Sequence, residues 1–297
     1  MRSGLWKEKN RIQDAYLRRK HEIMQFNIAQ TTKGPIEYRL EGEGPVILVL
    51  YGGHCSRYTR LSHERLATVG YSVLTPSRPG YDQTPSSVGR TAEEAADAIA
   101  ALLDTLNIAT VTMIGISAAG PTALDFALRH PDRTRKLILE SAVATEWDEQ
   151  IKRLSRIGFG RTEKFTWTMM RVALRFFPNL TVKSLVQELT VLDVNEVMKR
   201  MSPDDLAFVK DMIRTFQSGT GFMNDIEHRV NDLTGITVPT LVMYSPNDKS
   251  VPPKNAKRVA AEVATCELYE VPSDTHLIWI GRYANDVWQK RLSFLKS

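Results

Sequence analysis

The chain has 297 residues, 42% of them apolar and 25% charged, which suits one globular core carrying an insertion and excludes disordered, collagen-like and coiled-coil classes. Its formal charge of +5 collects at the start: residues 1–24 hold seven Lys/Arg against three Asp/Glu, so the remaining body is nearly neutral and lacks nucleic-acid-binding motifs. The longest purely apolar run, residues 46–51, is far shorter than the ~20 residues that cross a bilayer, and Cys55 and Cys266 are too few for a disulfide scaffold and lack metal-ligand spacing.

No apolar signal core follows the charged start, so the expected location is cytoplasmic, with both thiols reduced. Residues 1–30 read as a basic helical leader in which Leu5, Ile12, Tyr16 and Ile23 share one face. Packing of that face on its own domain is the plainest expectation, and it leaves open a homo-oligomer built through the leader. Apolar, β-branched runs then recur at 36–40, 46–50, 71–74, 111–114, 136–139, 240–244 and 267–271, with helical patterns between them. This alternation predicts an α/β fold with a mostly parallel, doubly wound sheet. One intervening helix, 92–106, is alanine-rich and opens with Thr91 three residues before Glu94, the spacing of a capping box.

Strand signals vanish between 139 and 240, where helix formers dominate. Residues 145–232 are therefore expected to form an inserted helical cap, leaving 31–144 and 233–297 as the core. Most cap apolar side chains, Trp147, Phe159, Trp167 and Phe216 among them, should hold its helices together, with a few facing the sheet to line an apolar pocket.

Gly115-Ile116-Ser117-Ala118-Ala119-Gly120 follows one strand and precedes a helical pattern. A tight strand-to-helix turn that presents a serine needs small flanking residues, and Gly115, Ala119 and Gly120 supply them. Thr240 to Tyr244 lead into Asp248-Lys-Ser-Val-Pro-Pro, and the last strand leads into Pro272-Ser-Asp-Thr-His276. With these residues the sequence resembles the α/β-hydrolase family, although Ala119 stands where the commonest elbow has its last glycine. The resemblance implies Ser117 as nucleophile, His276 as general base and Asp248 as the acid orienting it. It also implies an oxyanion hole from the backbone N–H groups of Gly53, in Tyr51-Gly52-Gly53-His54, and Ala118. Tyr51 replaces the family's usual histidine; Tyr51 and His54 are candidate substrate contacts. Arg78-Pro79-Gly80-Tyr81 resembles a further landmark of the family, and Arg78 is read as a structural anchor.

The implied activity is hydrolysis of a small-molecule carboxylic ester with an apolar or aromatic acyl group through an acyl-enzyme, without metal or organic cofactor. Alternatives are an aminopeptidase resembling the proline iminopeptidases, which would need cap carboxylates such as Glu146, Asp148 or Asp225 around an amine, and other serine-dependent members such as carbon–carbon hydrolases, thioesterases and perhydrolases. A ligand-binding receptor on the same fold is the alternative from another class.

Overall fold

The computed structural model describes residues 26–297, so the helical reading of residues 1–25 lies outside the described residues. The seven expected strands form as β2 (Gly34–Glu41), β3 (Val46–Leu50), β4 (Ser72–Pro76), β5 (Val111–Ile116), β6 (Thr134–Glu140), β7 (Thr240–Tyr244) and β8 (Cys266–Glu270), preceded by β1 (Asn27–Thr31). They make one sheet in the order β1-β2-β4-β3-β5-β6-β7-β8, antiparallel at β1-β2 and β2-β4 and parallel from β4 to β8. β1 corrects the leader, which was expected to stay helical to residue 30. Its sequence, Asn-Ile-Ala-Gln-Thr, buries only Ala29 and carries no apolar run. Edge pairing with β2 holds it, a partner that no local pattern announces.

The central strands read as runs rather than alternations because both faces are covered. Successive residues still part to opposite sides: Leu48 and Leu50 pack with α1 (Ala92–Thr105) and α2 (Gly120–Arg129), while Ile47 and Val49 join the cluster on the other face. Thr91 caps α1 as its spacing predicts, its hydroxyl accepting the Glu94 N–H at 3.2 Å. The Glu94 carboxylate takes the Arg90 N–H instead of reaching back to Thr91.

Between β6 and β7 lie α3 (Glu149–Phe159), α4 (Glu163–Phe176), α5 (Pro178–Leu189), α6 (Val194–Arg200), α7 (Pro203–Thr215) and α8 (Gly221–Asp225). Backbone bonds stitch this insert to the loops at the carboxyl ends of the parallel strands. The Gln217 N–H donates to His54 O at 2.8 Å, the N–H groups of Thr220 and Gly221 both donate to Gly80 O at 3.1 Å, and the His276 N–H donates to Leu189 O at 2.8 Å. A crevice at that end of the sheet is where open α/β folds place their ligands. After β7 come α9 (Lys254–Glu262) and, following β8, α10 (Ala284–Lys296).

Arg291 of α10 reaches under the sheet, where its guanidinium donates to both oxygens of Glu140 at 2.7 and 2.9 Å. His63 Nε2 lies 2.9 Å from the same carboxylate. Burial alone would push the Glu140 carboxyl up, but Arg291 and His63 outweigh it and hold it at about 2.

Candidate active site

β5 leads directly into Ser117, whose φ of +51° is the left-handed region that an L residue adopts only under constraint. The constraint is steric. A Cβ on Gly115 would sit 2.5 Å from Ala123 Cβ, and one on Gly120 only 2.0 Å from Val143 O, so strand, turn and helix are pressed together. Ala119 is fully buried, and its methyl is accommodated, which accounts for alanine at this place. Ala118 follows at the start of the helical turn, where the dipole favours developing negative charge.

The Tyr51–His54 loop leans on this turn. A Cβ on Gly52 would meet Ser117 Cβ at 2.8 Å, and one on Gly53 would meet the Phe222 ring at 2.9 Å and Ala118 Cβ at 3.5 Å. The Gly53 N–H donates to none of the described residues. Arg78 props the loop from below, its Nε donating to Tyr51 O at 2.8 Å and its Nη2 to Gly52 O at 3.2 Å. The same guanidinium holds Asp225 of α8 through both carboxylate oxygens, with Nη2 2.8 Å from Oδ2, and the Tyr81 hydroxyl donates to Oδ2 at 2.6 Å. Asp225 is thus tied to Arg78 and Tyr81.

Asp248, buried after β7, accepts the Val251 N–H on Oδ1 at 2.8 Å and lies 2.6 Å from His276 Nδ1 through Oδ2. A carboxylate only accepts here, so Nδ1 is the donor, and in the neutral ring this tautomer presents Nε2 as the acceptor. The Ser141 hydroxyl fixes the same residue by donating to His276 O at 2.8 Å. Ser117 and His276 line one cavity, without a hydrogen bond between them among the described residues. Such contacts are often long before substrate binds.

That cavity encloses about 480 Å³ and is walled by Trp147, Phe159, Trp167, Phe216, Phe222 and Trp279. Gly52, Gly53, Ala118 and His54 also border it, and at its mouth Lys249 pairs with Glu188 at 3.1 Å. Tyr51 does not line it, which corrects its reading as a substrate contact. It is the first residue beyond β3, and its ring turns into the core, 6.2 Å from that of His63. The carboxylates considered for amine recognition are also elsewhere: Glu146 is exposed, and Asp148 caps α3 by accepting the Gln150 N–H at 2.8 Å. His130 pairs with Asp97, and His228 is buried outside the cavity.

Two polar residues with no legible sequence signal complete the wall behind His54. Ser218 is fully buried 3.2 Å from His54 Nδ1, and Glu163, also buried, accepts the Ser218 N–H at 2.6 Å. They stand 55 positions apart in the chain, and only the path of α4 and the segment after α7 brings them together.

Among the described residues no group of three or more His, Cys, Asp or Glu side chains is placed to hold a metal, and no helix is long and apolar enough to cross a membrane. Cys55 and Cys266 are both free, and burial pushes the Cys55 thiol up to about 12.

Fold and sequence define the class: the chain belongs to the α/β-hydrolase family, its residues 46–280 matching the family model described as serine aminopeptidase, S33. It is a hydrolase by that relationship. Among curated proteins it is 33% identical over 273 residues to the uncharacterized hydrolase YcgS of Bacillus subtilis, covering 89% of this chain and 96% of that one. It is 24% identical to a 2-hydroxy-6-oxo-6-phenylhexa-2,4-dienoate hydrolase of Burkholderia cepacia, covering 82% and 87%. Among solved structures, an α/β-hydrolase fold protein from Nakamurella multipartita superposes with a TM-score of 0.79 at 27% identity, covering 91% and 99%. A thermophilic esterase from Thermogutta terrifontis shares the fold, with a TM-score of 0.72 at 22% identity over 92% and 98%.

Proposed function

We propose that the protein is a serine hydrolase that cleaves carboxylic esters with an apolar or aromatic acyl group through an acyl-enzyme on Ser117. The observation that carries this reading is the His276 ring, fixed by Asp248 at 2.6 Å and sharing an aromatic-walled cavity with a strained, cavity-facing serine turn. In the first half-reaction Ser117 Oγ attacks the ester carbonyl carbon while His276 Nε2 takes the hydroxyl proton. The carbonyl oxygen becomes an anion between the N–H groups of Gly53 and Ala118. Collapse of the tetrahedral species breaks the bond to the leaving alkoxide, which receives the proton from His276. Water then enters and gives a proton to His276 as its oxygen bonds to the acyl carbon; collapse of this second tetrahedral species breaks the bond to Ser117 Oγ, which takes the proton back from His276 as the acid leaves.

The helical insert acts as a cap that closes the aromatic chamber over Ser117 and selects substrate by apolar fit. An ester is favoured over an amine-bearing peptide because Glu146, Asp148 and Asp225 face solvent or are tied to Arg78, and Glu188 at the cavity mouth is paired with Lys249. A second reading, hydrolysis of a carbon–carbon bond beside a ketone, draws on the 2-hydroxy-6-oxo dienoate named for the Burkholderia cepacia relative. The ester proposal is tested by intact-mass spectrometry with a fluorophosphonate, on wild type and Ser117→Ala, followed by a panel of aryl esters. One adduct at Ser117, absent from the variant, with ester turnover is the expected result. Well-folded protein without an adduct would overturn the nucleophile and favour a ligand receptor. An adduct without ester turnover would overturn the ester and direct attention to ketone substrates.

A further inference from the structure

Among the described residues, His54 and His276 are the two imidazoles on the wall of the chamber, whose rings are otherwise those of phenylalanine and tryptophan and whose charged lining residues are Glu188 and Lys249. Its backbone is left-handed, with φ +64°, and the Gln217 N–H on its carbonyl pins that geometry. The strained backbone aims the ring into a cage of aromatic side chains, with centroids 4.0 Å from Phe222, 4.3 Å from Phe159 and 5.0 Å from Trp167. A phenyl ring would fill this cage with less desolvation cost, so a histidine here calls for a polar role.

Its protonation is set from behind. Glu163 Oε1 accepts the Ser218 N–H at 2.6 Å and lies 3.2 Å from the Ser218 hydroxyl. An oxygen already accepting from an N–H is an acceptor toward the neighbouring hydroxyl as well, so Ser218 donates its O–H to Glu163. The remaining lone pairs of Ser218 Oγ then face His54 Nδ1 at 3.2 Å, which must supply the proton. This order places the imidazole hydrogen on Nδ1 and leaves Nε2 with a lone pair. No described residue donates to Nε2. Burial pushes the ring down to about 3, so it stays neutral and Nε2 remains an acceptor throughout the neutral range.

We infer that His54 Nε2 is a specificity-determining acceptor that reads a hydroxyl on the substrate close to the reacting carbonyl, held in its accepting tautomer by Ser218 and Glu163. This rests on the serine-hydrolase reading, since Gly53, the neighbour of His54, would bind the carbonyl oxygen. The preferred class is then a hydroxy-substituted carbonyl compound whose remaining surface is apolar. A buried acceptor left unpaired by the substrate lacking the hydroxyl penalises that substrate, which makes the discrimination steep.

The test compares matched pairs, p-nitrophenyl 2-hydroxy- and 3-hydroxyalkanoates against the same esters without the hydroxyl, in wild type, His54→Phe and Ser218→Ala. The quantity read is the ratio of kcat/KM, hydroxy over deoxy. It should be about tenfold or more in wild type for one of the two positions, fall to about one in His54→Phe, and fall partway in Ser218→Ala, which keeps the ring and frees its tautomer. A matched pair of trifluoromethyl ketones, with and without the hydroxyl, gives the same ratio as protection of Ser117 from fluorophosphonate and needs no turnover. Loss of Ser117 labelling in wild type would mean that the nucleophile reading has failed. Intact labelling with the same hydroxy-over-deoxy ratio in wild type and both variants, by turnover and by protection, would overturn the role of His54.

Discussion

Asp225→Asn keeps the size of the side chain and removes its charge, and it isolates what the Arg78 clamp contributes. Arg78 and Asp225 are both almost wholly buried, and Arg78 also holds the carbonyls of Tyr51 and Gly52. In wild type the Asp225 carboxylate more than offsets the downward pull of burial on the guanidinium; in the variant that support is gone, but a guanidinium is basic enough to stay charged in the neutral range even when buried. Breaking a buried pair from one side leaves that charge uncompensated, at a cost of about 3–5 kcal/mol. For a domain of this size each kcal/mol moves the melting temperature by roughly 2–4 °C, so a fall on the order of 10 °C is expected by calorimetry. Tyr81→Phe removes one hydrogen bond of the same cluster and should cost only about 1 kcal/mol. Because Arg78 supports the Gly53 loop, ester kcat should fall in Asp225→Asn even at temperatures where it is folded. The clamp reasoning fails if Asp225→Asn melts within 2 °C of wild type, about the shift of 1 kcal/mol. An unchanged melt with activity lost only toward amines would instead point to Asp225 as a substrate-binding carboxylate.

In ester assays, Asp248→Asn is expected to lower kcat by roughly 10²–10⁴, less than His276→Ala, because orientation of the base is lost before the base itself; equal activity in Asp248→Asn and wild type would remove Asp248 from the site. Glu140 is held at about 2 in the fold against an ordinary 4.5, so its stabilising effect is complete above about pH 4.5 and is lost as pH falls toward 2. Acid titrations of unfolding free energy should therefore show a slope smaller by up to one proton between pH 4.5 and 2 in Glu140→Gln, and an identical slope would refute the assignment. Gly120→Ala, with a methyl 2.0 Å from Val143 O, should destabilise by more than about 2 kcal/mol, whereas Gly158→Ala, in open space within α3, should stabilise by about 0.5–1 kcal/mol. Urea denaturation of the two variants checks both signs.

Much of the architecture was legible because its causes are local. Doubly covered strands must be apolar runs, helices between them must show a helical face, and a serine on a strained turn must be flanked by residues as small as Gly115 and Gly120. These demands act on neighbours in the chain, and they leave a pattern in the sequence. β1 escaped because an edge strand with one buried side chain is held by backbone pairing with β2, which any polar sequence can provide. Tyr51 was misplaced because loop spacing carries no information on which way a ring turns once the strand ends. Asp225 looked like any solvated cap carboxylate until the fold set it against Arg78, 147 positions away.

By itself, then, the sequence determined the α/β class, the order of the strands along the chain, the helical stretch between β6 and β7, and the residue types that bear chemistry in their loops. Tertiary structure decided which side chains meet. It set His276 against Asp248, walled the cavity with rings from the core loops and the insert, and placed Ser218 and Glu163 behind His54. Those contacts depend on the packing of elements far apart in the chain, and a hydrogen bond across that distance leaves no periodicity or spacing in the residues that make it.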